Sequence, residues 1–207
     1  MNRSVISEPS ILLIAVSLCL LFSAIDPVAD RLTWFLETAP VMLGIALLIW
    51  TRHTFPLTRL LYQLLALHAL ILIVGGCYTY AEVPLFNWLR DTFELTRNHY
   101  DRIGHLAQGF IPAILAREIL LRRSPLQRDG WLLLVVTSIC LAFSAFYEMI
   151  EWWTALVSAE AADAFLGTQG DPWDTQWDMF LALIGALTAQ LTLSSAHDKQ
   201  LAKFHGR

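Results

Sequence analysis

Charge is what this sequence has least of. Asp, Glu, Lys and Arg together make up 15% of its 207 residues, against about a quarter in soluble domains. That excludes a chain whose surface faces water on all sides. The 14 basic residues are scattered, without the patch or stripe that nucleic acid requires, so a nucleic-acid partner is excluded as well. Cys19, Cys77 and Cys140 sit in separate apolar runs. No C-x-x-C spacing is present, which excludes a disulfide framework or zinc knuckle and leaves three small buried hydrophobes. The chain also lacks a Gly-rich phosphate loop, a G-x-S-x-G elbow, an H-E-x-x-H pair, internal repeats and low-complexity segments.

What it has instead is hydrocarbon, with 56% hydrophobic residues and a mean hydropathy of +0.53. A membrane-spanning helix takes about 20 mostly apolar residues, and six runs approach that length: 10–25, 38–51, 60–80, 103–121, 130–150 and 178–195. The expectation is an all-α polytopic membrane protein in which residues 1–207 form one six-helix domain. The first run, after Arg3, has the look of a signal peptide. It continues to Ile25 and meets Asp26-Pro27 without a small-x-small cleavage site, so a retained anchor is expected. The second run is short, and Trp34 and Phe35 extend it at the interface.

Loop charge predicts orientation. The N-terminus, the 52–59 and 117–129 loops and the C-terminal tail carry Arg3, Arg52, Arg59, Arg117, Arg122, Arg123, Arg128, Lys199, Lys203 and Arg207. The opposite side keeps Arg31, Arg90, Arg97 and Arg102. With an even number of spans, both termini are expected in the cytoplasm. The acidic residues divide the other way, with Glu8, Glu118, Asp129 and Asp198 alone on the basic side. Arg117, Glu118 and Arg122 are expected to form a surface pair at that boundary, and the tail "AHDKQLAKFHGR" to fray or lie on anionic headgroups.

On this topology four polar sets meet at the outer face. In "HYDRIGHLAQGF", Asp101, His105, Gln108 and Pro112 form one helical stripe. In "FYEMIEWW", Glu148 and Glu151 stand one turn apart. In "GTQGDPWDTQWDM", Asp171, Asp174 and Asp178 share a face. "YTYAEVP" adds Tyr78, Tyr80 and Glu82. Carboxylates at one depth repel by about 4 kcal/mol per pair 4 Å apart at an effective dielectric of 20. The offset must come from Arg97 and Arg102, from shared protons or from a bound divalent cation. His105 with Asp101, Glu148, Glu151 and Asp178 is a donor set for zinc, manganese or iron, and carboxylates alone suit calcium or magnesium.

Structural readings stand beside these. Asp171 can be a helix N-cap, with Pro172 at the first helical position and Asp174 in the first turn. Asn98 can cap the fourth span, with Asp101 favoured by the helix dipole. Tyr78, Tyr80, Trp88, Trp152, Trp153, Trp173 and Trp177 suit an aromatic belt. His68 suits a hydrogen-bonded core histidine. His99, His68, Asp171 and Asp174 are therefore secondary site candidates. His105, Glu148, Glu151 and Asp178 lie within spans or at their edges, where capping does not account for them.

The motifs "RNHYDRIGH", "YEMIEWW" and "GTQGDPWDTQWDM", with "YTYAEVP" and "AREILLR", resemble those of the YjdF-like family of bacterial inner-membrane proteins over about residues 60–190. The resemblance implies a compact multi-pass protein of the bacterial inner (plasma) membrane, and it carries no assigned activity or cofactor. A shorter resemblance is to VanZ-like membrane proteins, associated with glycopeptide-antibiotic tolerance and the cell envelope. It rests on Asp101-x3-His105, Glu148-x2-Glu151 and Asp178 followed by Gly185. That family usually has Gln where Glu151 stands and Asn where Ala182 stands.

Three functions stay open. In the first, Asp101, His105, Glu151 and Asp178 hold a divalent metal ion. Glu148 is then the general base, and Arg97 and Arg102 bind an anionic headgroup in a hydrolase or transferase acting on a lipid or envelope substrate. The second is a non-enzymatic envelope protein whose acidic cluster pairs with those arginines. The third is a small proton, cation or solute transporter.

Overall fold

The computed structural model describes residues 7–157 and 168–205. Arg3 and Arg207, two of the basic residues in the orientation argument, lie outside the described residues. Those described are all-helical: α1 (Glu8–Ser23), α2 (Arg31–Thr51), α3 (Arg59–Tyr78), a 3-10 turn (Tyr80–Glu82), α4 (Pro84–Thr92), α5 (Tyr100–Arg123), α6 (Gly130–Val157) and α7 (Asp174–His205). α2, α3, α6 and α7 are long and apolar enough to cross a membrane, and α1 is apolar but shorter. α5, at 24 residues and 1.5 Å per residue, is about 36 Å long and more polar. It is also the most enclosed helix, packed against α3, α6 and α7. A helix shielded from lipid by its neighbours can carry groups that lipid would reject.

α1 and α3 match the expected spans to within two residues at each end, whereas α2, α5, α6 and α7 exceed theirs, and the reason differs at each end. α2 starts at Arg31 because Asp30 caps it, accepting from the backbone N–H of Leu32 and Thr33 at 2.9 and 3.0 Å and from the Thr33 hydroxyl at 2.6 Å. The Thr33 hydrogen bonds hold the Asp30 carboxyl below the usual carboxylate range. Its first turns carry Thr33, Glu37 and Thr38, all buried in the bundle, where polarity does not signal the end of a span. The expected tail is likewise helix to His205, with His197 and Leu201 fully buried against the bundle. α4 was absent from the expected spans. At nine residues it is too short to cross, and it leaves Leu85 and Trp88 exposed, as an amphipathic interfacial helix does.

The main core lies where α3, α5, α6 and α7 meet, on Leu61, Ala113, Ile114, Leu132, Val136, Cys140, Ala186 and Ala189. A smaller cluster of Val16, Val41 and Ile73 joins α1, α2 and α3. Of the cysteines only Cys140 is buried, and Cys19 is exposed on α1, where hydrocarbon rather than protein surrounds a nonpolar thiol. α5 and α7 approach most closely through glycine. A Cβ on Gly109 would stand 1.9 Å from the Ala182 carbonyl oxygen, and one on Gly185 2.2 Å from that of Leu106.

At one end the 52–59 loop, the α5 C-terminus, the 124–129 loop and the end of α7 share a buried polar network. The expected surface pair is part of it, and it is no surface feature. Arg122 does reach Glu118 at 2.7 Å, but Glu118 is fully buried. Glu118 accepts from the Thr58 backbone N–H and hydroxyl and pairs with His197 Nε2 at 3.0 Å. Arg117 is buried too, bonding His197 Nδ1 at 2.9 Å and Asp198 at 2.8 Å, and Asp198 also binds Arg128. With Arg117 donating to Nδ1, the neutral ring carries its proton on Nε2 and donates to Glu118. Glu8, at the start of α1, pairs with Arg59 at the same end. Buried charges of this kind are costly unless every partner is present, which explains why four segments converge here.

Candidate functional site

The opposite end gathers the acidic residues. Arg97, just ahead of α5, is buried and faces three carboxylates: Asp101 at 3.6 Å, Asp171 at 3.7 Å, and Asp174, which it bonds closely. Arg102 binds Asp171 at 2.8 Å and lies over the Trp177 ring at 5.2 Å. These two arginines fasten the start of α7 to the start of α5. Asp171 serves two roles, because its other oxygen accepts from the Trp173 N–H at 2.9 Å. Helix begins at Asp174, so Pro172 lies in the turn ahead of it, a shift of the size helix ends commonly show. Asn98 accepts from the Tyr100 N–H at 3.0 Å and, through its amide, bonds Val83 and Asn87, which ties α4 to the α5 N-terminus.

Deeper in, His105 is the centre of a second group. Its Nε2 lies 3.4 Å from Asp101 Oδ1 and 3.9 Å from Asp178 Oδ2, and its Nδ1 lies 3.8 Å from Glu148 Oε1. One ligand atom each from Asp101, His105 and Asp178 lie within 4.8 Å of one another, and so do atoms of His105, Glu148 and Glu151. All five side chains are buried. Spacing accounts for the convergence: Asp101 and His105 are one turn apart on α5, Glu148 and Glu151 one turn apart on α6, and Asp178 is one turn into α7. His105 Nδ1, Glu148 Oε1 and Asp178 Oδ1 have no hydrogen-bond partner among the described residues. Buried polar atoms ordinarily find one.

Two candidates stand apart from this group. His99 is half-buried ahead of α5, and its burial, with Arg102 and Arg97 beside it, holds the ring below the usual histidine range. His68, on α3, is not the expected hydrogen-bonded core histidine. Its Nε2 has no partner among the described residues, and the residue is among those lining a cavity.

Three further residues belong to the site. Glu37 of α2 is buried and accepts from the Tyr147 hydroxyl at 3.1 Å, and the Tyr147 ring stands edge-on to His105 at 6.4 Å. Tyr80, expected in an aromatic belt, is instead wedged between helices: a Cβ on Gly75 or Gly104 would meet its ring at 2.4 or 2.8 Å. The signal for Glu37 was a carboxylate beside an apolar run, hidden by starting that span at residue 38. Tyr147, at i−4 from Glu151, shares its face.

The comparisons with known proteins bear on the whole chain. A family model described as "Predicted membrane protein (DUF2238)" matches residues 9–199. Inner membrane protein YjdF of Escherichia coli (strain K12) is 48% identical over 191 residues, covering 92% of this chain and 91% of that protein. No solved structure matches the chain. The family match and the near full-length similarity make this a multi-pass inner-membrane protein that belongs to the DUF2238 family of predicted membrane proteins.

Proposed function

We propose that the His105 cluster is a divalent-metal site. In this reading His105 Nε2, Asp101 and Asp178 hold the ion, and Glu148 and Glu151 of α6 gather with His105 from the other side of the ring, Glu148 at Nδ1. The observation that carries it is the set of buried atoms on His105, Glu148 and Asp178 without partners among the described residues, in a cluster where Asp101, His105 and Asp178 each bring a ligand atom within 4.8 Å of the others. A His-and-two-carboxylate set leaves coordination positions open for water and substrate, the hallmark of catalytic rather than structural ions. An ion there supplies Lewis acidity and an activated water. Glu148, on the Nδ1 side of the imidazole, is placed to orient the ring and to take a proton as general base. The activity this supports is hydrolysis or group transfer on a lipid or lipid-linked envelope substrate at the outer leaflet.

Residues 1–207 then form one membrane domain of six crossings, α1, α2, α3, α5, α6 and α7, with both termini cytoplasmic. The loop-charge asymmetry supports this orientation, as does the gathering of Thr58, Glu118, Arg128 and Asp198 at one end and Arg97, Asp171 and Glu148 at the other. Alkaline phosphatase fused after residue 95 is expected to be active and a C-terminal fusion inactive. The reverse pattern refutes the orientation.

The arginines divide under this proposal. Arg97, buried among three carboxylates, is a clamp. Arg102, paired among the described residues with Asp171 alone, is the better placed of the two to meet an anionic headgroup. The clamp is also what a non-enzymatic envelope protein would have, and activity separates the two readings. Metal-loaded protein incubated with inner-membrane lipid extract is expected to convert one lipid class, and Glu148→Gln to slow that conversion by about 10²–10⁴-fold while the ion stays bound. Lipid profiles identical with wild type, Glu148→Gln and no protein would sink the enzymatic reading. Transport is disfavoured because Ile111, Ala113 and Ile114, all buried and apolar, fill α5 between its two polar ends.

A further inference from the structure

α1, α2 and α3 enclose a cavity of about 570 Å³. Its walls are hydrocarbon: Leu13, Val16, Val41, Ile45, Leu65 and Leu72. Its mouth is polar, at the basic end of the molecule, where Ser7, Ser10, Arg52 and His53 border it. From Arg52 to Pro40, which also lines it, is 12 residues of α2, or about 18 Å at 1.5 Å per residue. That is close to half of a hydrocarbon core about 30 Å thick, the depth the acyl chains of one leaflet occupy.

We infer that this cavity holds one acyl chain of an anionic phospholipid, with the phosphate at the mouth beside Arg52 and the N-terminus of α1. Two observations select that occupant. The surrounding solvent is lipid, so a deep apolar cavity open to it fills with hydrocarbon rather than water. The mouth is cationic and dipolar: Arg52 is exposed, its Nε bonds the His53 ring at 3.0 Å, and the first N–H groups of α1 add the positive end of a helix dipole. The acidic group nearest the mouth, Glu8, is already held by Arg59 at 2.6 Å and Gln63 at 2.7 Å, which removes the charge that would repel a phosphate.

The site is independent of the His105 cluster at the other end of the bundle. Gly44 lines the cavity, and a Cβ there meets nothing within 4 Å, so a larger side chain fills the space without touching the fold.

The test uses the full chain in nanodiscs containing phosphatidylglycerol or phosphatidylcholine with a photoactivatable group in the acyl chain. Phosphatidylglycerol is expected to label peptides containing Leu13, Ile45 and Leu65 above lipid-facing controls at Phe143 and Leu191. Gly44→Leu, and independently Ala69→Phe, are expected to lower that labelling to the control level while the unfolding midpoint stays at the wild-type value. Arg52→Gln is expected to abolish the preference for phosphatidylglycerol over phosphatidylcholine. Labelling of cavity and control peptides to the same extent in wild type, or labelling unchanged by a folded Gly44→Leu or Ala69→Phe variant, would show only bulk lipid and overturn the proposal. A wild type that labels equally with both lipids overturns the headgroup assignment.

Discussion

Protein purified without chelator is expected to carry about one divalent ion per chain, and His105→Ala or Asp178→Asn to reduce this to background, because an ion held by so few side chains does not survive losing one. Glu148→Gln, acting through the imidazole, is expected to weaken affinity by about 10–100-fold and no further. The argument extends to stability, and there the sign separates an ion site from an ion-free cluster. Without metal, Asp101, Glu148, Glu151 and Asp178 crowd one buried volume with His105. Replacing Asp178 by the neutral isostere then removes repulsion and is expected to raise the unfolding midpoint. With metal the order reverses: wild type gains about 2.7 kcal/mol at a ligand concentration 100 times Kd, and Asp178→Asn gains almost nothing. The check is a pair of thermal melts, in EDTA and in excess zinc or manganese, alongside elemental analysis. Wild type and Asp178→Asn responding alike to every ion tried would rule the site out.

The helices were legible in the sequence because lipid makes one demand, a long apolar run, and local composition answers it. α5 was among those apolar runs, and its stripe of Asp101, His105 and Gln108 at helical spacing marked the face that carries the polar groups. What composition hides is whether a polar residue faces lipid or protein. Glu37 and Thr38 read as the end of a span and lie inside the bundle, and His197 read as tail and is fully buried beside Glu118. Nor could spacing along one helix assign partners across helices. His105, Glu148, Glu151 and Asp178 were each suspect because nothing local explains them. That Arg97 takes Asp174 and shares Asp101 and Asp171, leaving the deeper group with little cationic compensation, depends on the approach of α7 to α5.

That approach is itself testable, and Gly109→Ala is expected to be among the most damaging single-methyl changes in the chain. The added Cβ would lie 1.9 Å from the Ala182 carbonyl oxygen and 2.7 Å from its Cα. These are backbone atoms, so no rotamer change relieves the contact and the helices must part. Gly185→Ala meets the Leu106 carbonyl oxygen at 2.2 Å and the Phe110 nitrogen at 2.8 Å, the same crossing seen from the other side. In membranes such small-residue crossings carry much of helix association, because burying apolar surface from lipid gives little. Overpacking of this kind costs about 1–3 kcal/mol and occasionally more, and for a chain of this length each kcal/mol moves the midpoint by about 2–4 °C. Each variant is therefore expected to melt about 2–12 °C below wild type. Gly44→Ala is the matched control: its Cβ meets nothing, and replacing a mid-helix glycine by alanine is worth up to about 1 kcal/mol in propensity, so its midpoint should hold or rise. His105 is one turn from Gly109, and Asp178 two turns from Gly185, so parting the helices also separates the two proposed ligands. Metal content is then expected to fall in Gly109→Ala even at temperatures where the protein remains folded. A Gly109→Ala variant with wild-type midpoint and wild-type metal content would mean that α5 and α7 do not cross this closely.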